Sequence, residues 1–188
     1  MILEGIVSSE GEDGAPHAAP MGPRMPSRPP WKTFELRPFT SSTTWANLCR
    51  IPRGVLHVTD DPLVLARSAL GIPLGPWNPA CHIAGWRLAD ACRWIEFEIV
   101  ETSCEGPRGL MAAKVVAEES GRPFFGFNRA NHAVLEAAIL ATRLHLIPAN
   151  EILLEIERLR PLVVKTGGEA HHQAFALIEQ ACRGATVA

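Results

Sequence analysis

Apolar positions in the first half of the chain fall in short runs, rich in β-branched residues and closed by turn residues, which predicts strands rather than long helices. Ile2 to Ser9 is such a run, Glu12-Asp13-Gly14 supplies a hairpin turn, and Ala15 to Met21 returns as a second strand. Gly22 to Pro30 holds Pro23, Pro26, Pro29 and Pro30, and proline's missing N–H excludes this stretch from a central strand. It is predicted to be a surface loop. Thr33 to Phe39 alternates as a strand, and the hydroxyl run Thr40-Ser41-Ser42-Thr43-Thr44 caps the start of a helix through Asn47 and Leu48. Gly54 to Thr59 is a further strand. Asp61 and Pro62 then make an N-cap and first helical position, and Gly71 the matching stop, so Leu63 to Leu70 is predicted helical.

Ile72 to Gly85 is dense in proline and glycine. Ile95, Phe97 and Ile99 then alternate with Trp94, Glu96 and Glu98 as a half-buried strand, with Met111 to Glu119 as its partner across a turn at Cys104 to Arg108. The period changes after that. Ala130 to Leu146 places Ala, Leu and Ile at helical spacing, Pro148 ends that helix, and a second runs through Ile152, Ile156, Leu159 and Val163. After the turn Lys165-Thr166-Gly167-Gly168, a third begins near Glu169, with Ala170, Ala174, Leu177, Ile178 and Ala181 on one stripe. A boundary near Phe127 follows: 1–127 as the β domain with two short helices, 128–188 as a helical C-terminal domain.

Composition narrows the classes of function. Of 188 residues, 47% are hydrophobic and 20% charged, enough to bury a core, and the formal net charge is -2. No field of one sign draws in a nucleic acid or an anionic membrane. Cys49, Cys81, Cys92, Cys104 and Cys182 contain no CxxC pair, so reduced thiols are expected. With no leader pattern at the N-terminus and no apolar run near the length of a spanning helix, a cytoplasmic location is expected.

Hydrolase and nucleotide-loop signatures are absent: there is no GxSxG, Walker loop or GxGxxG, and no histidine pair at HxxxH spacing. The segment Leu36 to Asn47 stands out instead. The Arg37 guanidinium, five consecutive hydroxyls and the free N–H groups of a helix start fall within eight residues, with no Asp or Glu among them, as a phosphate requires. The plainer reading is a helix cap beside a solvated strand arginine, and spacing alone leaves both open. His57, at the end of a strand, reads as a buried, hydrogen-bonded histidine, with Thr59 and Asp60 following it toward a ligand's ring.

These residues carry a family resemblance. Asp13-Gly14, then Pro16-His17-Ala18-Ala19-Pro20-Met21-Gly22, Arg37-Pro38-Phe39, the hydroxyl run and Asn47 resemble the FMN-binding split β-barrel proteins, the fold of flavin reductases and pyridoxamine phosphate oxidases. Phe124-Phe125-Gly126-Phe127-Asn128-Arg129-Ala130, His132, Glu136-Ala137-Ala138, Ala141-Thr142-Arg143 and Lys165-Thr166-Gly167-Gly168 resemble, more specifically, the group known as domain of unknown function 447. The resemblance implies a mainly β protein, a six-stranded split barrel with a three-helix C-terminal extension, holding FMN at a homodimer interface. It implies phosphate ligation by Arg37, Ser42 and Thr44 with help from Thr40 and Asn47, and Phe39 beside them. Met21 and Gly22 would lie against the isoalloxazine edge, with Thr59 and Asp60 near the same ring. The loop Pro23 to Pro30 departs from the tight hairpins of the simplest flavin reductases, and a lid is one reading of it. The implied activity is a flavin-dependent oxidoreductase with a small-molecule electron donor or acceptor, the alternatives being a non-catalytic carrier or sensor of flavin, deazaflavin or pterin, and a ligand-free dimeric interaction protein.

Several of these residues also have structural readings. Asn128 is a favoured helix cap, and His132 and Glu136 are spaced to pair on one helix face. Lys165 belongs either to a helix end or to a phosphate site. Trp31, Trp45, Trp77, Trp86 and Trp94 suit a core or a dimer contact, and the outward set Trp94, Glu96 and Glu98 suits a partner's surface.

Overall fold

The computed structural model describes residues 1–185. Their contacts form two compact units, Met1–Thr59 with Leu74–Pro123, and Asp60–Pro73 with Phe124 onward.

The first unit is built on a six-stranded antiparallel sheet. Strands β1 (Gly5–Glu10) and β2 (Pro16–Met21) form the hairpin, with Gly14 at φ 77 in its turn, a left-handed conformation that favours glycine. Prolines 16 and 20 fit because β2 is an edge. β3 (Thr33–Leu36), α1 (Thr43–Arg50) and β4 (Arg53–Val58) follow, then a small hairpin of β5 (Trp77–Pro79) and β6 (Trp86–Leu88), and the long pair β7 (Arg93–Glu105) and β8 (Arg108–Ser120). The order is β2-β1-β4-β7-β8-β3, and the ladder is not closed into a barrel. Single bridges instead link the two edges, because Arg24 bridges both Ile2 and Glu35. Val7, Leu36, Leu56, Ile95, Phe97 and Met111 fill the interior, with Phe34 edge-on to Phe97 at 5.2 Å.

The second unit is helical: α2 (Pro62–Ala69), α3 (Arg129–Ala141), α4 (Ala149–Thr166) and α5 (Glu169–Gly184). Its own core includes Val134, Ala137, Ile152, Ile156, Phe175 and Ile178. Asp61 caps α2 by accepting from Leu63 and Val64 N–H, and Gly71 at φ 67 ends it, as the sequence pattern predicts.

The fold departs from expectation in three places. The three C-terminal helices α3, α4 and α5 pack with α2, so the helical unit has four helices and takes in 60–73 as well as the residues from Phe124 on. Helix α3 stops at Ala141, well before Pro148. Beyond it Arg143, Leu144 and Leu146 make tighter i to i+3 bonds, and Thr142 Oγ1 donates back to Ile139 O. The face carrying Trp94 and Glu96 is covered by residues 74–92 of the same chain rather than left for a partner. Trp94 Nε1 donates to Leu88 O, and Glu96, only 1% exposed, accepts N–H groups from Cys81, His82 and Ile83.

Candidate functional site

The hydroxyl run sits where β3 leaves the sheet and α1 begins. Ser42 is the N-cap: its Oγ accepts from Trp45 N at 3.2 Å and donates to Phe39 O at 2.7 Å. Thr40 is tied to the β7–β8 turn through its N–H and Oγ1, both to Pro107 O. Ser41 and Thr43 are exposed. The N–H groups of Thr43 and Thr44 occupy the first two helical positions, which have no carbonyl within the helix to reach.

Helix α1 is held against the β1–β2 hairpin by polar contacts. Buried Thr44 has Oγ1 3.4 Å from His17 Nε2, and buried Asn47 donates from Nδ2 to Ser9 Oγ at 3.1 Å. Burial lowers the His17 pKa, so the ring stands neutral beside Thr44. On another side, the Trp45 ring lies on Gly109 of β8 so closely that a Cβ there would fall 1.8 Å from Cζ3. Phe39 bridges Arg108, whose guanidinium lies 4.0 Å from its ring centroid.

Of the residues predicted to bind cofactor, Arg37, Phe39, Thr40, Ser42, Thr44 and Asn47 fall on this β3–α1 segment. Met21 ends β2, whose six residues are all half-buried, and Gly22 follows it. The carboxylate missing from the run enters from the preceding strand, since Glu35 Oε2 lies 3.6 Å from Arg37 Nη2 with both side chains nearly half exposed. Buried Thr59 follows β4. Asp60 and Lys165 belong to the helical unit. There the Asp60 carboxylate accepts Phe125 N–H, and Lys165 is exposed on the last turn of α4. Residues 23–30 divide: Met25 is buried and tied to Met1, while 26–30 are exposed.

His57 is structural, as its sequence context suggests. Fully buried, it lies with Nδ1 3.0 Å from Ile6 O, and Nε2 accepts Leu88 N–H, which fixes the proton on Nδ1. Burial pushes its pKa down to about 4. Asn128 caps α3, accepting from Ala130 and Asn131 N–H. His132 stacks on Phe127, with ring centroids 6.3 Å apart.

Sequence reasoning missed the contacts of His17 with Thr44 and Ser9 with Asn47, because pairings between a hairpin and a helix start leave no local spacing signal. It also missed the group Cys81, His82, Arg87, Glu96 and Glu119. Arg87 Nη1 donates to Glu119 and holds its carboxyl below the usual range.

Comparison with known proteins matches two family models, described as protein of unknown function (DUF447) N-terminal domain over residues 3–129 and protein of unknown function (DUF447) over 128–180. No curated protein matches. Among solved structures, an FMN-bound DUF447 protein from Methanosarcina mazei is 27% identical, with TM-score 0.84, covering 96% of this chain and 94% of its own. The styrene monooxygenase flavin reductase of Pseudomonas putida S12 is 20% identical, with TM-score 0.53, covering 65% of this chain and 82% of its own. An FMN-binding protein from Thermus thermophilus is 18% identical, with TM-score 0.52, covering 64% and 76%. These last two share the fold.

Proposed function

The chain belongs to the DUF447 family, and from that premise we propose that it binds FMN and passes electrons to or from a small molecule. The observation that carries the reading is the likeness, over nearly the whole of both chains, to a relative that holds FMN.

The donor set at α1 fits a phosphate. The N–H groups of Thr43 and Thr44, at the positive end of the helix dipole, the exposed Ser41 and Thr43 hydroxyls, and the exposed Arg37 guanidinium are all donors. Ser42, Thr40 and Asn47 hold hydrogen bonds that shape the loop and seat the helix, so their part is positioning. Met21 and Gly22, at the end of half-buried β2, would meet the isoalloxazine edge. A bound flavin supplies the redox chemistry, and the protein supplies binding, orientation and electrostatics. Neutral His17 gives this end of the site a hydrogen-bonding group and leaves Arg37 to supply the positive charge toward a phosphate.

A second copy completing the flavin cleft is part of this proposal. Light scattering should give twice 20.5 kDa, and a monomer that still binds FMN would remove the second copy from the reading.

The test is an absorption spectrum of the purified protein and of a titration with FMN. A flavin band, gained stoichiometrically, is expected. A protein that shows none before or after titration refutes the reading. Anaerobic NADH or NADPH should then bleach the bound flavin, and persistence of colour with both would make the protein a carrier rather than a nicotinamide-dependent reductase.

A further inference from the structure

The face of β7 and β8 turned away from Ile95 and Phe97 carries a cluster that the flavin reading does not use. Cys81 Sγ, a Glu96 carboxylate oxygen and a Glu119 carboxylate oxygen all lie within 4.8 Å of one another. Cys81 Sγ is 3.9 Å from Glu119 Oε2, and His82 Nε2 is 3.2 Å from Glu119 Oε1. Glu96 is fixed from behind. Its Oε2 accepts His82 and Ile83 N–H, whereas among the described residues Oε1 accepts only Cys81 N–H and keeps lone-pair capacity for a cation. Arg87 grips Glu119 Oε2 while its guanidinium lies 4.7 Å over the Trp94 ring.

We propose that Cys81, Glu96 and Glu119 form a divalent metal site of the zinc class, with His82 as the fourth donor. The donor chemistry selects the ion: a thiolate and an imidazole beside carboxylates suit zinc, and a thiolate ill suits the oxygen-seeking magnesium and calcium. Zn–S near 2.3 Å and Zn–O near 2.1 Å place tetrahedral donors about 3.3 to 3.6 Å apart. The Cys81, Glu96 and Glu119 donors lie within 4.8 Å of one another, so side-chain shifts of about 1 Å bring those three onto an ion, and His82, which approaches Glu119 alone of the three, turns in as the fourth. Charge agrees as well. Two carboxylates and a thiolate bring three negative charges against one from Arg87, and a dication makes the cluster neutral.

On binding, the Cys81 thiol proton passes to solvent and the S–metal bond forms, with no change of oxidation state. Glu119 keeps Oε2 on Arg87, its outer partner, and turns Oε1 from His82 to the ion, which frees His82 Nε2 to bind. Four protein ligands make the site structural. It pins residues 81–83 onto β7 and β8.

The test is titration of the metal-free full-length protein with cobalt(II), read by ligand-field bands to the red of flavin absorption and by a thiolate-to-cobalt charge-transfer band. One equivalent per chain is expected, displaced by zinc. Cys81→Ser should abolish the charge-transfer band, and Glu119→Gln should weaken cobalt binding at least about tenfold. Cys49→Ser and Cys104→Ser, which alter other exposed thiols, should leave both bands intact. Tryptophan fluorescence confirms that each variant is folded. Absence of bands in the parent protein, their survival in Cys81→Ser, or their loss in either control overturns the site.

Discussion

Replacing Glu96 by Gln should unfasten the 74–92 segment from the sheet, and the structure sets the size of the effect. The carboxylate accepts N–H groups from Cys81 at 2.7 Å, His82 at 2.7 Å and Ile83 at 2.9 Å. An amide oxygen placed at Oε2 keeps two of these as neutral bonds and turns an NH2 group toward the Cys81 N–H. A hydrogen bond to a charged group contributes about 1.5 to 3 kcal/mol and a neutral one about 1, so losing one and weakening two should cost about 2.5 to 7 kcal/mol. Urea unfolding followed by tryptophan fluorescence reads this cleanly, because Trp31, Trp45, Trp77, Trp86 and Trp94 all belong to the β unit. Far-ultraviolet dichroism weighted to helix reports the other unit, and a shift confined to the fluorescence transition is expected. A cost under about 0.5 kcal/mol, within the range of ordinary surface substitutions, would refute the reasoning.

His57 makes the β unit acid-sensitive. Its folded pKa, about 4, lies below the unfolded value near 6.5, so the unfolded chain takes up the proton first and stability falls as pH drops through that window; about 2 kcal/mol should be lost between about pH 7 and 5, and a flat fluorescence-detected stability would contradict it. Gly109→Ala drives a methyl into the Trp45 ring and should cost about 1 to 3 kcal/mol in thermal or urea unfolding, with weaker FMN binding because α1 must move; an unchanged midpoint would show that the ring yields freely. Arg37→Ala should weaken FMN by about 1.5 to 3 kcal/mol in a fluorescence-quenching titration, and unchanged affinity would return Arg37 to the surface.

Elements whose cause is local were legible in the sequence. Asp13-Gly14, Asp61-Pro62 with Gly71, Ser42 and Asn128 each act on groups a few residues away, so turn and cap chemistry locates them. The β5–β6 hairpin was not legible, because Trp77–Pro79 and Trp86–Leu88 are three residues each and too short for any period. Glu96 misled for a related reason. Alternation correctly set it opposite Ile95 and Phe97, but a period of two names the face and not what covers it. The cover comes from backbone N–H groups, which every residue type carries.

The same distinction governs the candidate flavin site. The pattern located Arg37 and the hydroxyls in one segment, yet capping and ligation draw on the same atoms, and only hydrogen bonds formed in the fold separate them. Ser42 Oγ is occupied on both sides, by Phe39 O and Trp45 N, whereas the Ser41 and Thr43 side chains face solvent. Glu35 adds a competitor that the run itself lacks. At 3.6 Å, with Arg37 43% and Glu35 45% exposed in their side chains, that pair is loose and worth little in water, so a phosphate with its greater charge should win the guanidinium. Its remaining effect is a negative charge beside the bound anion. Glu35→Gln should therefore tighten FMN modestly and steepen the fall of affinity with salt, and a loss of affinity would mean that the carboxylate holds Arg37 in place rather than competing for it.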